Sequence, residues 1–186
     1  QYRKRVIQLG ENPNRTFLVG GMGVDTIKKT KLLKKKNLEK KLKFKFGKRN
    51  LLITFHPVTN ETGNNKQQIK EILRTLLELK DTKLIFTSPN SDMDGKIIKK
   101  KVIKFVSENF KICKFYKSMG QLNYLSTLKY VDGVVGNSSS GITEVPSYKI
   151  GTINIGDRQK GRIKAKSIID CHAKKKIFKK SYQKII

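Results

Sequence analysis

The sequence predicts an α/β protein built on a doubly wound parallel sheet. Short apolar runs bounded by turn residues alternate with longer amphipathic segments along most of the chain. The apolar runs are near-continuous, as strands covered on both faces require. Polar motifs fall just past the ends of those runs, the place where sheets of this class bind ligands.

The elements follow in order. Residues 1–9 read as the end of a helix, and Glu11-Asn12-Pro13-Asn14 as a turn. Thr16-Phe17-Leu18-Val19 reads as a short strand. Gly20-Gly21-Met22-Gly23 reads as a glycine turn leading to Val24-Asp25-Thr26-Ile27. Residues 31–46 read as a lysine-rich helix with Leu32, Leu33, Leu38 and Leu42 as its apolar positions, solvated on a surface insertion. Leu51-Leu52-Ile53-Thr54-Phe55 is a buried strand. Residues 64–80 form a helix with Ile69, Ile72, Leu73, Leu76, Leu77 and Leu79 on its inner side. A strand at 83–87 ends at Pro89, and a helix follows at 96–108. Then come a strand at 110–116, a helix at 120–129 and a strand at 131–135. Glu144 lies in the next short helix. Strands at 151–155 and 167–171 and a basic helix at 174–186 complete the chain.

At 186 residues and 37% hydrophobic content, one well-buried domain is expected. No apolar run approaches the ~18 residues that a membrane span needs. The opening Gln1-Tyr2-Arg3-Lys4-Arg5 has no apolar core behind it, so it does not read as a signal peptide. It also lacks an initiator methionine, and the chain reads as cut from something longer. Cys113 and Cys171 are far apart, make no metal or redox spacing, and are expected to be small buried residues. A reduced, cytoplasmic location is the default.

Lysine plus arginine number 42 against 14 acidic residues, a formal charge of +28. Such an excess attracts polyanions. It is almost all lysine, however, and it is spread over many segments in a chain also rich in isoleucine and asparagine. Arginine, the usual base reader, is scarce, and the aromatics do not interleave with the basic runs. The pattern is one of compositional bias on solvated helix faces, and a specific nucleic-acid interface is not expected.

The candidate chemistry lies in the run Gly136-Asn137-Ser138-Ser139-Ser140-Gly141, between an apolar strand and a short helix. Hydroxyls and successive N–H groups in a nest-like turn, with the positive end of a helix dipole behind them, suit a phosphate. The competing reading is an ordinary N-cap with a flexible loop before it. A Ser-His-Asp hydrolase is disfavoured because the Gly-x-Ser-x-Gly elbow is absent. Glu144 follows the serines at helical spacing, where it reaches a sugar hydroxyl or simply complements the helix dipole. His56, held at a strand end by Pro57, either serves a phosphate or a proton or caps the next element. Arg158, in the loop Gly156-Asp157-Arg158-Gln159-Lys160-Gly161-Arg162, either pairs with phosphate oxygens or is solvated. Met119 and Tyr124 either wall a base pocket or pack the core. Asn90 also follows a strand end. Convergence of these strand ends on one rim carries more weight than any single motif.

Together these residues resemble the C-terminal half of the hydrolysing UDP-N-acetylglucosamine 2-epimerases, which open the sialic-acid and related nonulosonic-acid pathways. The resemblance is carried by Tyr2-Arg3-Lys4-Arg5-Val6-Ile7-Gln8-Leu9-Gly10, Leu52-Ile53-Thr54-Phe55-His56-Pro57-Val58-Thr59, Ser88-Pro89-Asn90-Ser91-Asp92-Met93-Asp94-Gly95, and the stretch from Val134 through Arg162 to Cys171. It implies one Rossmann-like half of a two-domain glycosyltransferase-B arrangement. It further implies that Ser138 and Ser139 meet the diphosphate of a UDP-sugar, with His56 and Arg158 near it. Glu144 would hold the ribose, Met119 and Tyr124 would border the uracil, and Asn90 would lie on the cleft rim.

The implied reaction is elimination of UDP from UDP-N-acetylglucosamine followed by hydration to N-acetylmannosamine, with no metal or other cofactor. His56 is the one candidate catalytic residue in this half. The acid–base carboxylates of such enzymes belong to the first domain, so this chain is expected to be inactive without that domain, supplied in cis or in trans. A homo-oligomer is implied when complete. The expected division is a remnant of the first domain at 1–12, the UDP-binding domain at 13–171 and a basic helix at 172–186. Against this stand two other readings: a non-catalytic UDP or UDP-sugar binding module or decayed fragment, and a basic nucleic-acid binder.

Overall fold

Each strand of the sheet sends alternate side chains to opposite faces, and the chain supplies apolar residues to both. The computed structural model describes residues 1–58, 65–91, 94–173 and 175–185. Its strands are β1 (Arg49–Thr54), β2 (Thr82–Thr87), β3 (Cys113–Tyr116), β4 (Gly133–Gly136), β5 (Gly151–Ile155) and β6 (Ile168–Cys171). All neighbours pair in parallel, in the order β3-β2-β1-β4-β5-β6. The helices are α1 (Tyr2–Gln8), α2 (Met22–Lys29), α3 (Lys35–Leu42), α4 (Asn65–Leu77), α5 (Gly95–Glu108), α6 (Gln121–Leu128), α7 (Ser140–Thr143) and α8 (Lys175–Ile185). The α/β doubly wound architecture is therefore the one the sequence predicts. Among the described residues no helix is long and apolar enough to cross a membrane.

Two hydrophobic layers sandwich the sheet. On one face Leu51, Ile53 and Phe55 of the β1 segment join Leu84 and Phe86 of β2 under α4, α5 and α8. On the other, Leu52, Ile85 and Val134 pack with Leu125 and Leu128 of α6 and with Leu38 and Leu42 of α3. Helix α8 is fastened to the first face by buried Phe178 and Tyr182, by Tyr182 Oη 3.2 Å from Thr82 Oγ1, and by an ion pair between Lys179 and Glu78.

The lysine-rich segment differs from its expectation. It is a core element and not a surface insertion: Leu38 and Leu42 are 0% and 3% exposed. The helix is also shorter, because Lys43 turns left-handed and ends it. Its flanks are stitched to neighbours through main-chain atoms. Ser126 Oγ accepts from Leu33 N–H at 3.0 Å, Tyr130 Oη donates to Leu33 O at 2.9 Å, and Tyr116 Oη donates to Leu42 O at 2.6 Å. The i, i+4 leucine pair was the signal, and flanking lysines masked it.

Other expectations are corrected near the ends of elements. Thr16-Phe17-Leu18-Val19 is not a strand; Phe17, Leu18 and Val19 are 75–81% exposed, and β-propensity without a ladder to join does not make a strand. The supposed glycine turn at 20–23 instead opens α2. Leu77 points outward from α4, and Phe110 precedes β3 instead of belonging to it. Asn64, Thr59, Asp92, Met93, Lys174 and Ile186, which figured in the sequence reading, lie outside the described residues.

Replacing Leu38 with alanine is expected to lower stability by about 2–5 kcal/mol in urea denaturation, as emptied core sites do, whereas a solvated helix would lose under ~0.5 kcal/mol.

Candidate functional site at the sheet's switch point

The strand order reverses between β1 and β4, so the segments beyond them diverge and leave a crevice between. Register places Thr54 beside Gly136, and Gly136 beside Asn154. Gly136 has φ +136°, and a Cβ there would lie 1.9 Å from Thr54 O, so only glycine fits this close approach. Asn137 N–H then donates to Thr54 O at 3.1 Å.

Asn137 is fully buried and organises the loops around it. Its Oδ1 accepts from His56 N–H at 2.7 Å, and its Nδ2 donates to His56 O at 2.9 Å. Its own carbonyl accepts from Arg158 Nη1 at 3.2 Å and from buried Gln159 Nε2 at 2.8 Å. One residue thus joins the carboxyl ends of β1, β4 and β5. The His56 ring is oriented from the next loop, where Asn90 N–H donates to Nδ1 at 3.0 Å. Accepting at Nδ1 puts the proton of a neutral imidazole on Nε2, which makes that nitrogen a donor.

A concavity of about 400 Å³ opens here, lined by His56, Met119, Tyr124, Ser138, Ser140 and Glu144 among others. That size suits a small-molecule ligand. Met119 and Tyr124 pack on the second core layer and also line the concavity. Tyr124 Oη lies 2.5 Å from Ser140 Oγ, and Ser140 Oγ donates to Glu144 Oε2. Burial pushes the Tyr124 hydroxyl up to about 12; the Ser140 hydrogen bond opposes the rise and the Glu144 carboxylate adds to it. Tyr148 is raised as well, by burial first and then by Glu144.

The remaining expected site residues, Ser139, Arg158 and Asn90, are not among those that line the concavity. Ser139 is exposed at the N-cap of α7 and makes no side-chain cap bond. Arg158 is exposed against the Asn137 carbonyl, and Asn90 sits behind the His56 ring. Two details are corrected. Helix α7 spans only four residues, so the serine turn offers N–H groups ahead of a single turn and little macrodipole. Glu144 follows α7 as its C-cap and is not a first-turn carboxylate. In the basic loop, Asp157 and Lys160 face a separate hollow of about 380 Å³ beside His172. Within that hollow Asp170 is stabilised as a carboxylate: burial raises it, but hydrogen bonds from Lys164 and Asn154 outweigh that and hold it low. Among the described residues, no group of three or more His, Cys, Asp and Glu side chains is arranged to hold a metal ion.

A family model described as UDP-N-acetylglucosamine 2-epimerase matches residues 1–186. The chain belongs to the UDP-N-acetylglucosamine 2-epimerase family. Among curated relatives, the Campylobacter jejuni GDP/UDP-N,N'-diacetylbacillosamine 2-epimerase (hydrolyzing) is 43% identical over 91% of this chain and 44% of its own length. Polysialic acid biosynthesis protein P7 of Escherichia coli is 41% identical over 94% of this chain and 44% of its own length. The chain therefore spans less than half the length of these relatives. The fold matches the Methanocaldococcus jannaschii UDP-GlcNAc 2-epimerase, solved in complex with UDP-GlcNAc and UDP, with a TM-score of 0.71 at 19% identity. That match covers 98% of this chain and 51% of the other.

In this epimerase-family chain, sequence reasoning missed Asn137, Ser140 and Gln159 as organising residues. Asn137 carried one available signal: an amide directly after an apolar strand that ends in glycine, where main-chain groups outrun the ladder. Ser140 carried the i, i+4 spacing to Glu144, but that spacing reads as aiming the carboxylate at a sugar and not as a pair with the serine; Gln159 carried no signal in spacing.

Asn137→Ala is expected to lower stability by about 2–4 kcal/mol in urea titration, because His56 main-chain groups lose their partners. A second expectation concerns pH. Tyr124 keeps its proton in the folded chain up to about 12, whereas 10.0 is its ordinary value. Stability from this group is whole below pH ~10 and is lost as pH rises through ~12. Tyr124→Phe should flatten the decline of unfolding free energy across that window.

Proposed function

We propose that this chain holds the UDP portion of a UDP-linked 2-acetamido sugar for a hydrolysing 2-epimerase. The observation that carries the reading is the crevice between β1 and β4, where His56, Met119, Tyr124, Ser138 and Glu144 face one concavity of nucleotide-binding size. In this reading Ser138, Ser139 and the N–H groups of their turn meet the diphosphate, Arg158 adds a cation at the rim, Glu144 takes the ribose, and Met119 with Tyr124 borders the uracil. Asn90 serves by aiming the His56 ring.

The chemistry asked of this half is stabilisation of a leaving group. As the bond from sugar C1 to the diphosphate breaks, negative charge builds on the phosphate oxygens. Donors fixed beforehand lower that barrier most. With Nδ1 occupied by Asn90 N–H, His56 presents Nε2–H as such a donor. Proton removal at C2 and hydration of the resulting glycal are assigned to carboxylates of the first domain, so UDP-N-acetylglucosamine plus water gives N-acetylmannosamine and UDP only when both parts are together. Residues 1–12 are then the trailing end of the first domain, 13–171 the UDP-binding domain and 172–186 the basic helix. Exposed Leu9, Phe17, Leu18 and Val19 are the apolar surface that the first domain would cover.

Binding of UDP should stabilise the chain by about 2.7 kcal/mol at a concentration 100 times Kd, seen as a rise in melting temperature. Absence of any shift at millimolar UDP overturns the reading. Ser138→Ala combined with Arg158→Ala should weaken UDP at least ~tenfold by calorimetry, through lost charge-assisted bonds. With a separately expressed first domain added, His56→Ala should lower UDP release from UDP-N-acetylglucosamine by about 100-fold. Full activity of that variant would make His56 structural only.

A further inference from the structure

We infer that Ser140 is a positioning residue that fixes Glu144 for recognition of the ribose diol, a role resting on the nucleotide-binding function proposed for this crevice. The three neighbouring serines do unlike work. A serine hydroxyl carries one proton. At Ser140 that proton goes to Glu144 Oε2, so this hydroxyl has none left for a phosphate oxygen. Its lone pairs remain open, and Tyr124 Oη, 2.5 Å away, donates into them. The direction of the relay is thereby set: Tyr124 to Ser140 to Glu144.

Each member is fixed from a different place. Tyr124 belongs to α6, where its N–H donates to Gly120 O at 3.0 Å. It is half-buried, and its raised titration keeps it a protonated donor across the neutral range. Ser140 opens α7, and Glu144 closes it one turn later. The carboxylate faces the concavity with Oε2 committed, and no described hydrogen bond ends on Oε1. A glutamate has three freely rotating bonds and loses that freedom when a ligand is bound. Anchoring one oxygen beforehand lowers that loss and aims the other. A diol offers two donors, and the anchored carboxylate meets them in one orientation.

The test is calorimetric binding of UDP and 2'-deoxy-UDP to the full chain and its variants. Wild type should prefer UDP about tenfold, the worth of a hydrogen bond to a charged group. Ser140→Ala should shrink that preference to about threefold while the melting temperature stays near wild type. Ser140→Thr, which keeps the hydroxyl, should restore the preference. Glu144→Gln with Ser140→Ala should discriminate no less than Glu144→Gln alone, because the two act as one unit. A Ser140→Ala chain that weakens both nucleotides equally overturns the inference and leaves UDP binding standing. So does a wild type that binds UDP without distinguishing the deoxy form. A wild type that binds neither nucleotide overturns the nucleotide-binding function and this inference with it.

Discussion

The buried side-chain amide of Asn137 ties together the two strands between which the sheet reverses. At this point β1 and β4 are neighbours, yet the segments leaving them turn to opposite sides, so the regular ladder stops. The His56 N–H and C=O would then be left without partners in a buried setting, which native folds avoid. Asn137 supplies both partners from one amide. Its own carbonyl gathers Arg158 and Gln159 from the loop after β5. The positions of His56, of the serine turn and of the basic loop are thus consequences of a single residue. Gly136 makes the arrangement accessible, because no larger residue lets the two backbones come so close.

Behind that knot stands a sheet with a complete apolar layer on each face. The scaffold is rigid where the loops begin, and the loops carry the polar groups, which is the usual division of labour in α/β proteins. The asymmetry of the layers is informative. One is built from long helices α4 and α5 together with α8. The other relies on the short helix α3 and on side chains such as Tyr116 and Tyr130, which hold its flanks by their main-chain oxygens. The second layer is the one that supports Met119 and Tyr124, so the wall of the concavity depends on a segment that looks, in sequence, like solvated lysines.

That contrast explains how much was legible in advance. Leu51 to Phe55 and Val134-Val135 read as strands because continuous apolar runs between turn signals have few other outcomes. That His56, Met119, Tyr124, Ser138 and Glu144 line one concavity could be anticipated because the order of the strands predicts where loops meet. Leu38 and Leu42 were hidden, since their pairing with α6 is invisible to a one-dimensional pattern crowded with lysine. Phe17, Leu18 and Val19 misled for the opposite reason: their strand propensity is real, but nothing pairs with them. The roles of Asn137 and Ser140 lie in the direction of individual hydrogen bonds, and residue type alone carries no direction.

The seating of α8 has a kinetic consequence. Tyr182 meets Thr82 across 100 residues of chain, and Lys179 pairs with Glu78 over a similar span. With Phe178 buried beside them, these contacts join α8 to α4 and β2, which lie much earlier in the chain, and complete the cover of the first face. Closing so long a loop is slow, because its entropy is lost before the contacts form. During synthesis the part of the first face that α8 covers therefore stays open until residue 182 has emerged, and the nascent domain exposes that apolar patch to its surroundings for the whole interval.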